Sequence, residues 1–226
     1  MAITFIHSAV QIDGTSISYD LPDGINRLVV LMTGVQDDEE NYYSGLTFDG
    51  VSFTGAVQSG WTADHRNSGV YYMLEEDLPV AGTYTIGLAG GASVSHAGIS
   101  VATYGFVKQQ APEDTDTQQL ALERYPYVEL TTSLSSMVCM VSTVNNRDVP
   151  LLKNEFTATI FLDNIANDAT VGGNYLLGTS AGTNQWNVNL QSNAYNTITA
   201  GAAWVPATAE ENYPPNILCV QLGVNN

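Results

Sequence analysis

The chain has 226 residues, enough to bury a sizeable core, and 13% of them are charged, against roughly a quarter in an average globular protein. Lys and Arg number 6 against 23 Asp and Glu, a formal net charge of −17. That field repels phosphate backbones and anionic bilayers, which argues against nucleic acid and membrane surfaces as partners.

Residues 3–9 and 15–19 read as short alternating strands parted by Asp13-Gly14, a favoured hairpin pair. Leu21-Pro22-Asp23-Gly24 is a turn by its chemistry, because Pro presets φ and Gly accepts a positive one. Residues 27–35, RLVVLMTGV, form the most apolar run and predict a central strand buried on both faces. The acidic stretch 36–41 follows as a loop. Residues 46–54, LTFDGVSFT, place two alternating segments around Asp49-Gly50, which suits a type I′ hairpin. Residues 70–88, VYYMLEEDLPVAGTYTIGL, read as a second hairpin: an aromatic and β-branched strand, an acidic turn ended by Pro79 and Gly82, and another strand. Residues 93–107 predict a long strand bent at Gly98 and Gly105.

Residues 109–122 are polar and acidic and contain Pro112, so they read as the longest linker, with mild helical propensity in TQQLALERY. Further strands are expected at 125–130, 136–144, 156–162, 175–179, 187–191, 197–205 and 217–224, with an Asn/Asp/Gly loop at 163–173. About a dozen short strands at turn-punctuated spacing, without an amphipathic helix, predict an all-β fold: an antiparallel, jelly-roll-like β-sandwich. The chain is expected to be one domain over 1–226, any internal boundary falling in the linker around 109–122.

The start, MAITFIHSAVQ, lacks the basic segment and unbroken apolar run of a secretory signal. No stretch approaches the roughly 18 apolar residues of a membrane span, and no Asn-x-Ser/Thr sequon occurs. Cys139 in MVCMV and Cys219 in ILCVQL sit in apolar runs and are expected as free, buried thiols, pairing only if their strands are neighbours.

Several patterns touch on chemistry. Gly178-Thr179-Ser180-Ala181-Gly182 spells the G-x-S-x-G nucleophile elbow, which needs a helix after the Ser and a His later in the chain. The residues after Gly182 look like strand, and His7, His65 and His96 all precede Ser180, so the motif reads as a Gly/Ser turn and no catalytic residue is assigned. The histidines lie at no ligand spacing. Acid-rich loops with Asp37, Asp38 and Glu39, or with Asp163 and Asp168, are the candidates for a structural Ca²⁺, although neither fits a known calcium loop; no other cofactor is implied. Trp61 and Trp186 sit in polar, loop-like settings and are the candidate glycan-stacking platforms, whereas Trp204 in AGAAWV reads as core.

Taken together, RLVVLMTGVQ, LTFDGVSFTGAV, VYYMLEEDLPVAGTYTIGL and HAGISVATYGFVKQQAP resemble a β-sandwich domain common in bacteriophage virion proteins and some bacterial surface proteins. Ala81-Gly82-Thr83-Tyr84 matches its A-G-T-Y turn outright, and Tyr104-Gly105-Phe106-Val107 through Pro112 resembles the strand that leads to its polar loop. The resemblance covers residues 15–112; the second half follows in outline through SSMVCMVST and TAGAAWVP. It departs at Asp49-Gly50, where the family often has two glycines, and in lacking a Trp before Tyr72. The resemblance implies a virion structural protein, an exterior capsid decoration protein above all, assembled in the host cytoplasm as a homo-oligomer on the major capsid or other virion proteins. The alternative is a carbohydrate-binding adhesin or a receptor-binding module of a tail or fibre.

Overall fold

The computed structural model of the chain describes residues 1–12, 16–36, 45–59, 66–87, 97–144, 150–151, 158–165, 169–190 and 195–212. The first half holds β1 (Thr4–Ile12), β2 (Ser16–Leu21), β3 (Leu28–Gln36), β4 (Thr47–Phe48), β5 (Val51–Ser52), β6 (Thr54–Gln58), β7 (Arg66–Leu74), β8 (Gly82–Gly87) and β9 (Ala97–Gly105). They form an inner sheet ordered β1-β9-β3-β7-β6 and an outer sheet ordered β2-β8-β4-β5. The second half holds β10 (Asp114–Glu123), β11 (Tyr127–Thr132), β12 (Met137–Val144), β13 (Pro150–Leu151), β14 (Ala158–Ile165), β15 (Ala169–Leu177), β16 (Gly182–Asn187), β17 (Asn189–Leu190), β18 (Tyr195–Trp204) and the short helix α1 (Ala209–Asn212). Its inner sheet is ordered β10-β18-β12-β15-β14, and two small outer sheets pair β11 with β16 and β13 with β17. All of these pairings are antiparallel, as expected of the sandwich.

The second strand order repeats the first, position for position. In the first half Leu28 lies between Leu74 and Tyr104; in the second, Met137 lies between Leu177 and Trp204. An Ala-Gly-Thr turn enters β8 at Ala81 and β16 at Ala181. Two residues before β3 and before β12 stands a non-glycine residue with positive φ, Asn26 at 48° and Ser135 at 67°. Contacts between the halves come in matched pairs: β1 meets β14 as β10 meets β6, β9 meets β14 as β18 meets β6, and β3 meets β12. The chain is therefore a structural duplication about an approximate two-fold axis, with Val107 and Pro206 bridging between the two connecting segments.

Strand periodicity explains how the layers stack, since alternate side chains leave opposite faces of a sheet. From β3, Leu28, Val30 and Met32 enter a central cluster between the two inner sheets, while Val29 and Leu31 enter a cluster beneath the first outer sheet. From β12, Met137, Cys139 and Val141 enter the central cluster, and Val138 and Met140 pack under β11 and β16. Residues 28–34 of β3 and all of β12 are buried, which bears out the reading of residues 27–35 as a central strand buried on both faces at its middle. The result is four layers: outer sheet, inner sheet, inner sheet, outer sheet. The inner sheets end in strands that each carry a register shift, in β1, β6, β10 and β14, a device that blunts edge-to-edge pairing.

The hairpin at residues 46–54 forms as expected. Phe48 pairs with Val51, and Asp49 and Gly50 take φ of 50° and 83°, the two positive values that a type I′ turn requires. Three expectations are corrected. Residues 70–88 are not a hairpin: β7 belongs to the inner sheet and β8 to the outer, so the acidic turn crosses between layers. Residues 114–122 of the expected linker belong to strand β10, paired along β18, so the part of TQQLALERY up to Glu123 is strand and not helix. The expected loop at 163–173 is strand as far as Ile165 and again from Ala169. The strand expected at 217–224 lies outside the described residues.

Candidate functional site

At one end of the inner sheets Gln36 pairs with Arg66, Val35 with Ala97 and Val144 with Thr197. The other end, the turn pole, is made of the connections β2–β3, β7–β8, β9–β10, β11–β12 and β15–β16 together with α1, and all of these are described.

An ion pair fastens the turn pole. Arg27, almost fully buried, donates from Nε and Nη2 to both carboxylate oxygens of Glu75 at 2.6–3.0 Å. It also donates to the carbonyls of Pro22 at 2.9 Å and Pro79 at 3.3 Å, tying the β2–β3 turn to the crossover. Gln109 completes the clamp: its Oε1 accepts from the Glu75 amide at 2.6 Å, and its Nε2 donates to the carbonyls of Val107 and Arg27. The carboxylate and guanidinium meet in two-pronged geometry, the strongest arrangement for such a pair. With Arg27 as its partner, Glu75 lies partly buried, its side chain 33% accessible. Around the pole, Phe106 and Val107 donate their amides to Ile25 and Asn26, Ser135 donates to Thr179, and the Asn26 side chain donates to the Glu211 carbonyl. Thr208 and Glu211 cap α1 reciprocally, the Thr208 amide donating to the Glu211 carboxylate at 2.6 Å, and this holds the Glu211 carboxyl below its ordinary pKa.

The acids of the expected linker have a structural task. The Asp114, Asp116 and Glu113 carboxylates accept the amides of Thr131, Glu129 and Ser133, at 2.6, 2.7 and 3.1 Å. Glu129 and Thr131 of β11, and Ser133 just past its end, thereby find acceptors on the edge that β16 does not cover. Without these carboxylates that edge would present unpaired donors.

The buried ionisable groups are fitted for packing rather than proton transfer near neutrality. Burial pushes Tyr19 up to about 12, against the opposing hydrogen bond of the Thr103 hydroxyl at 2.6 Å. Tyr71 is likewise pushed up to about 12 by burial. Cys139 lies wholly inside the central cluster 3.6 Å from the Tyr104 hydroxyl, and burial raises its thiol to about 12. Its expected burial is borne out; Cys219 lies outside the described residues.

Trp186, expected as an exposed stacking platform, is 8% exposed and packs with Val128, Leu130, Val138, Met140 and Val188. Its polar neighbours Gln185 and Asn187 stand on the opposite face of β16, so the polar setting belongs to the other side of the strand. Trp204 is core, as read. Trp61, His65, His96, Asp37, Asp38, Glu39 and Asp168 lie outside the described residues. Asp163 is in β14, opposite Val171, and not in a loop. Among the described residues no group of three or more His, Cys, Asp or Glu is placed to hold a metal ion. Ser180 lies on a turn between Gly178 and Gly182, both at positive φ, followed by strand β16 and not by the helix of a nucleophile elbow. In comparisons with protein-family models, curated proteins and solved structures, the chain matched none.

Proposed function

We propose that this protein is a virion structural component of a tailed phage or phage-like particle, an exterior capsid decoration protein that acts by docking its surface on the shell. One observation carries the reading: the distinctive side chains of the described residues serve as scaffold. Tyr104, Cys139 and Trp204 fill the central cluster, Trp186 fills an outer one, and Arg27 and Glu75 clamp a turn. A rigid, duplicated, four-layer block offers its surface, and it would stabilise an assembly by binding the assembled state and not the parts. The resemblance of residues 15–112 to virion sandwich domains supplies the context, and the low charged fraction, 13% of residues, suits dense packing on a shell.

The test is location. Antibodies raised against the pure protein, used for immunogold labelling of purified particles, should decorate the capsid exterior at regular spacing. Finding the protein only free, with particles unlabelled, would sink the proposal.

A further inference from the structure

Three of the exposed large apolar residues, Val80 at 80%, Leu134 at 71% and Ile25 at 42%, stand on the turns of this pole; the others among the described residues are Met1, Phe5, Val10, Val51, Leu122 and Tyr125. Ile25 and Leu134 are counterparts in the duplication. Each immediately precedes a non-glycine residue held at positive φ, Asn26 or Ser135. Such a conformation is disfavoured for a residue with a side chain and persists only where the surroundings enforce it. Here they do. The Ile25 and Asn26 carbonyls accept from Phe106 and Val107 at 2.9 and 3.1 Å; Ser135 donates to Thr179 at 2.8 Å, and the Thr179 hydroxyl donates to the Ser133 carbonyl at 3.0 Å. The backbone under both apolar side chains is fixed before any partner arrives, which removes an ordering cost from binding. Exposed acids stand on the turns that carry Ile25 and Val80, Asp23, Glu76 and Asp77, and on α1, Glu210 and Glu211; Glu113, bound to Ser133, is the acid beside Leu134, while Arg27 is spent on Glu75, leaving Lys108 as the other cation of these turns.

From this geometry we infer that the turn pole is a docking surface for a partner protein that offers two apolar recesses rimmed by Lys or Arg, one taking Leu134 and the other Ile25 with Val80. The acids decide the occupant. A second copy meeting pole to pole would set acid against acid, whereas a basic rim gains from every carboxylate at the approach and is steered to it. The approximate two-fold adds that the partner presents its recesses twice, as two neighbouring subunits of a lattice do. This deepens the decoration reading and rests on it for the setting, although the surface itself is argued from the pole alone.

Site-specific photo-crosslinking of the full chain tests it, in the preparation where the protein is naturally assembled. A photoreactive residue replaces Leu134, Ile25 or, as control, Leu122, which is 73% exposed in β10 next to its far end, away from the turn pole. The expected result is one adduct shared by the Leu134 and Ile25 positions, at least tenfold stronger than from Leu122, mapping to a Lys/Arg-bearing segment of another protein. That adduct should fall several-fold in about 1 M salt, where screening reaches within a few ångströms. The double variant Ile25→Asp with Leu134→Asp should abolish co-purification of that protein while leaving the circular dichroism unchanged. Adducts only from Leu122, only between copies of this chain, or from none of the positions overturn the inference. A basic partner that is no virion protein would sink the decoration reading and leave the pole intact; a virion adduct from Leu122 alone would do the reverse.

Discussion

Glu75→Gln is the substitution that best probes how the turn pole is held. Gln keeps the size of Glu75 and removes its charge, leaving the Arg27 guanidinium only 7% accessible and with carbonyl acceptors alone. Stranding one member of a buried pair costs about 3–5 kcal/mol. Glu75 itself is 33% accessible, so part of the pair's attraction is already screened by water and the low end applies, about 3 kcal/mol. At about 2–4 °C per kcal/mol for a chain of this length, the melting temperature should fall by about 6–12 °C. Adding Arg27→Met removes the stranded charge, so the double variant should lose much less than the sum of the two single losses. Urea unfolding followed by tryptophan fluorescence supplies the four free energies of the cycle. A loss under about 0.5 kcal/mol for Glu75→Gln, or single losses that simply add, would refute the argument that the pair's buried member sets the cost.

Four further outcomes follow from the same structure. Alkali should destabilise the fold: Tyr19 and Tyr71 have folded pKa values raised to about 12 against an ordinary 10, so the folded state holds protons that the unfolded state has released. Their contribution is whole below pH 10 and is lost as pH climbs towards 12, at about 1.4 kcal/mol per pH unit for each group, and a urea series at pH 9, 10 and 11 that shows no such decline would contradict it. Asp114→Ala with Asp116→Ala should speed amide hydrogen exchange at Thr131 and Glu129 while Leu130, whose amide faces β16, stays slow; equal rates would deny the carboxylates their capping role. Gly201→Ala should cost about 1–3 kcal/mol by overpacking, since a Cβ there would lie 2.8 Å from a methyl of buried Val128. Gly50→Ala meets no atom within 4 Å yet sits at φ +83°, so it should cost about 1 kcal/mol through the backbone alone, and thermal melts that rank the two the other way would reverse this account.

The amino-acid sequence by itself determined the all-β class, the turn at Asp49-Gly50, the doubly buried run at 27–35 and the core place of Trp204. Each of these follows from a preference that a short stretch carries alone: φ at a turn, alternation, or an unbroken apolar run. Only the tertiary structure decided where strands go once they leave a turn. Nothing local in VYYMLEEDLPVAGTYTIGL tells a hairpin from a crossing between layers, because both need a strand, a break and a strand; the difference lies in β3 and β6 on one side and β2 and β4 on the other. Trp186 misled because the neighbours that made it look exposed point out of the opposite face of the same strand. The acids of β10 read as linker because their partners are backbone amides of β11, groups that leave no mark in a sequence. The duplication stayed hidden for a related reason: a β-sheet is held by main-chain bonds that tolerate almost any side chain, so two halves can share one register with different residues. The Ala-Gly-Thr turns at Ala81 and Ala181 are where the repeat does show in the sequence, because there a glycine opens the matching strand, β8 or β16, in each half.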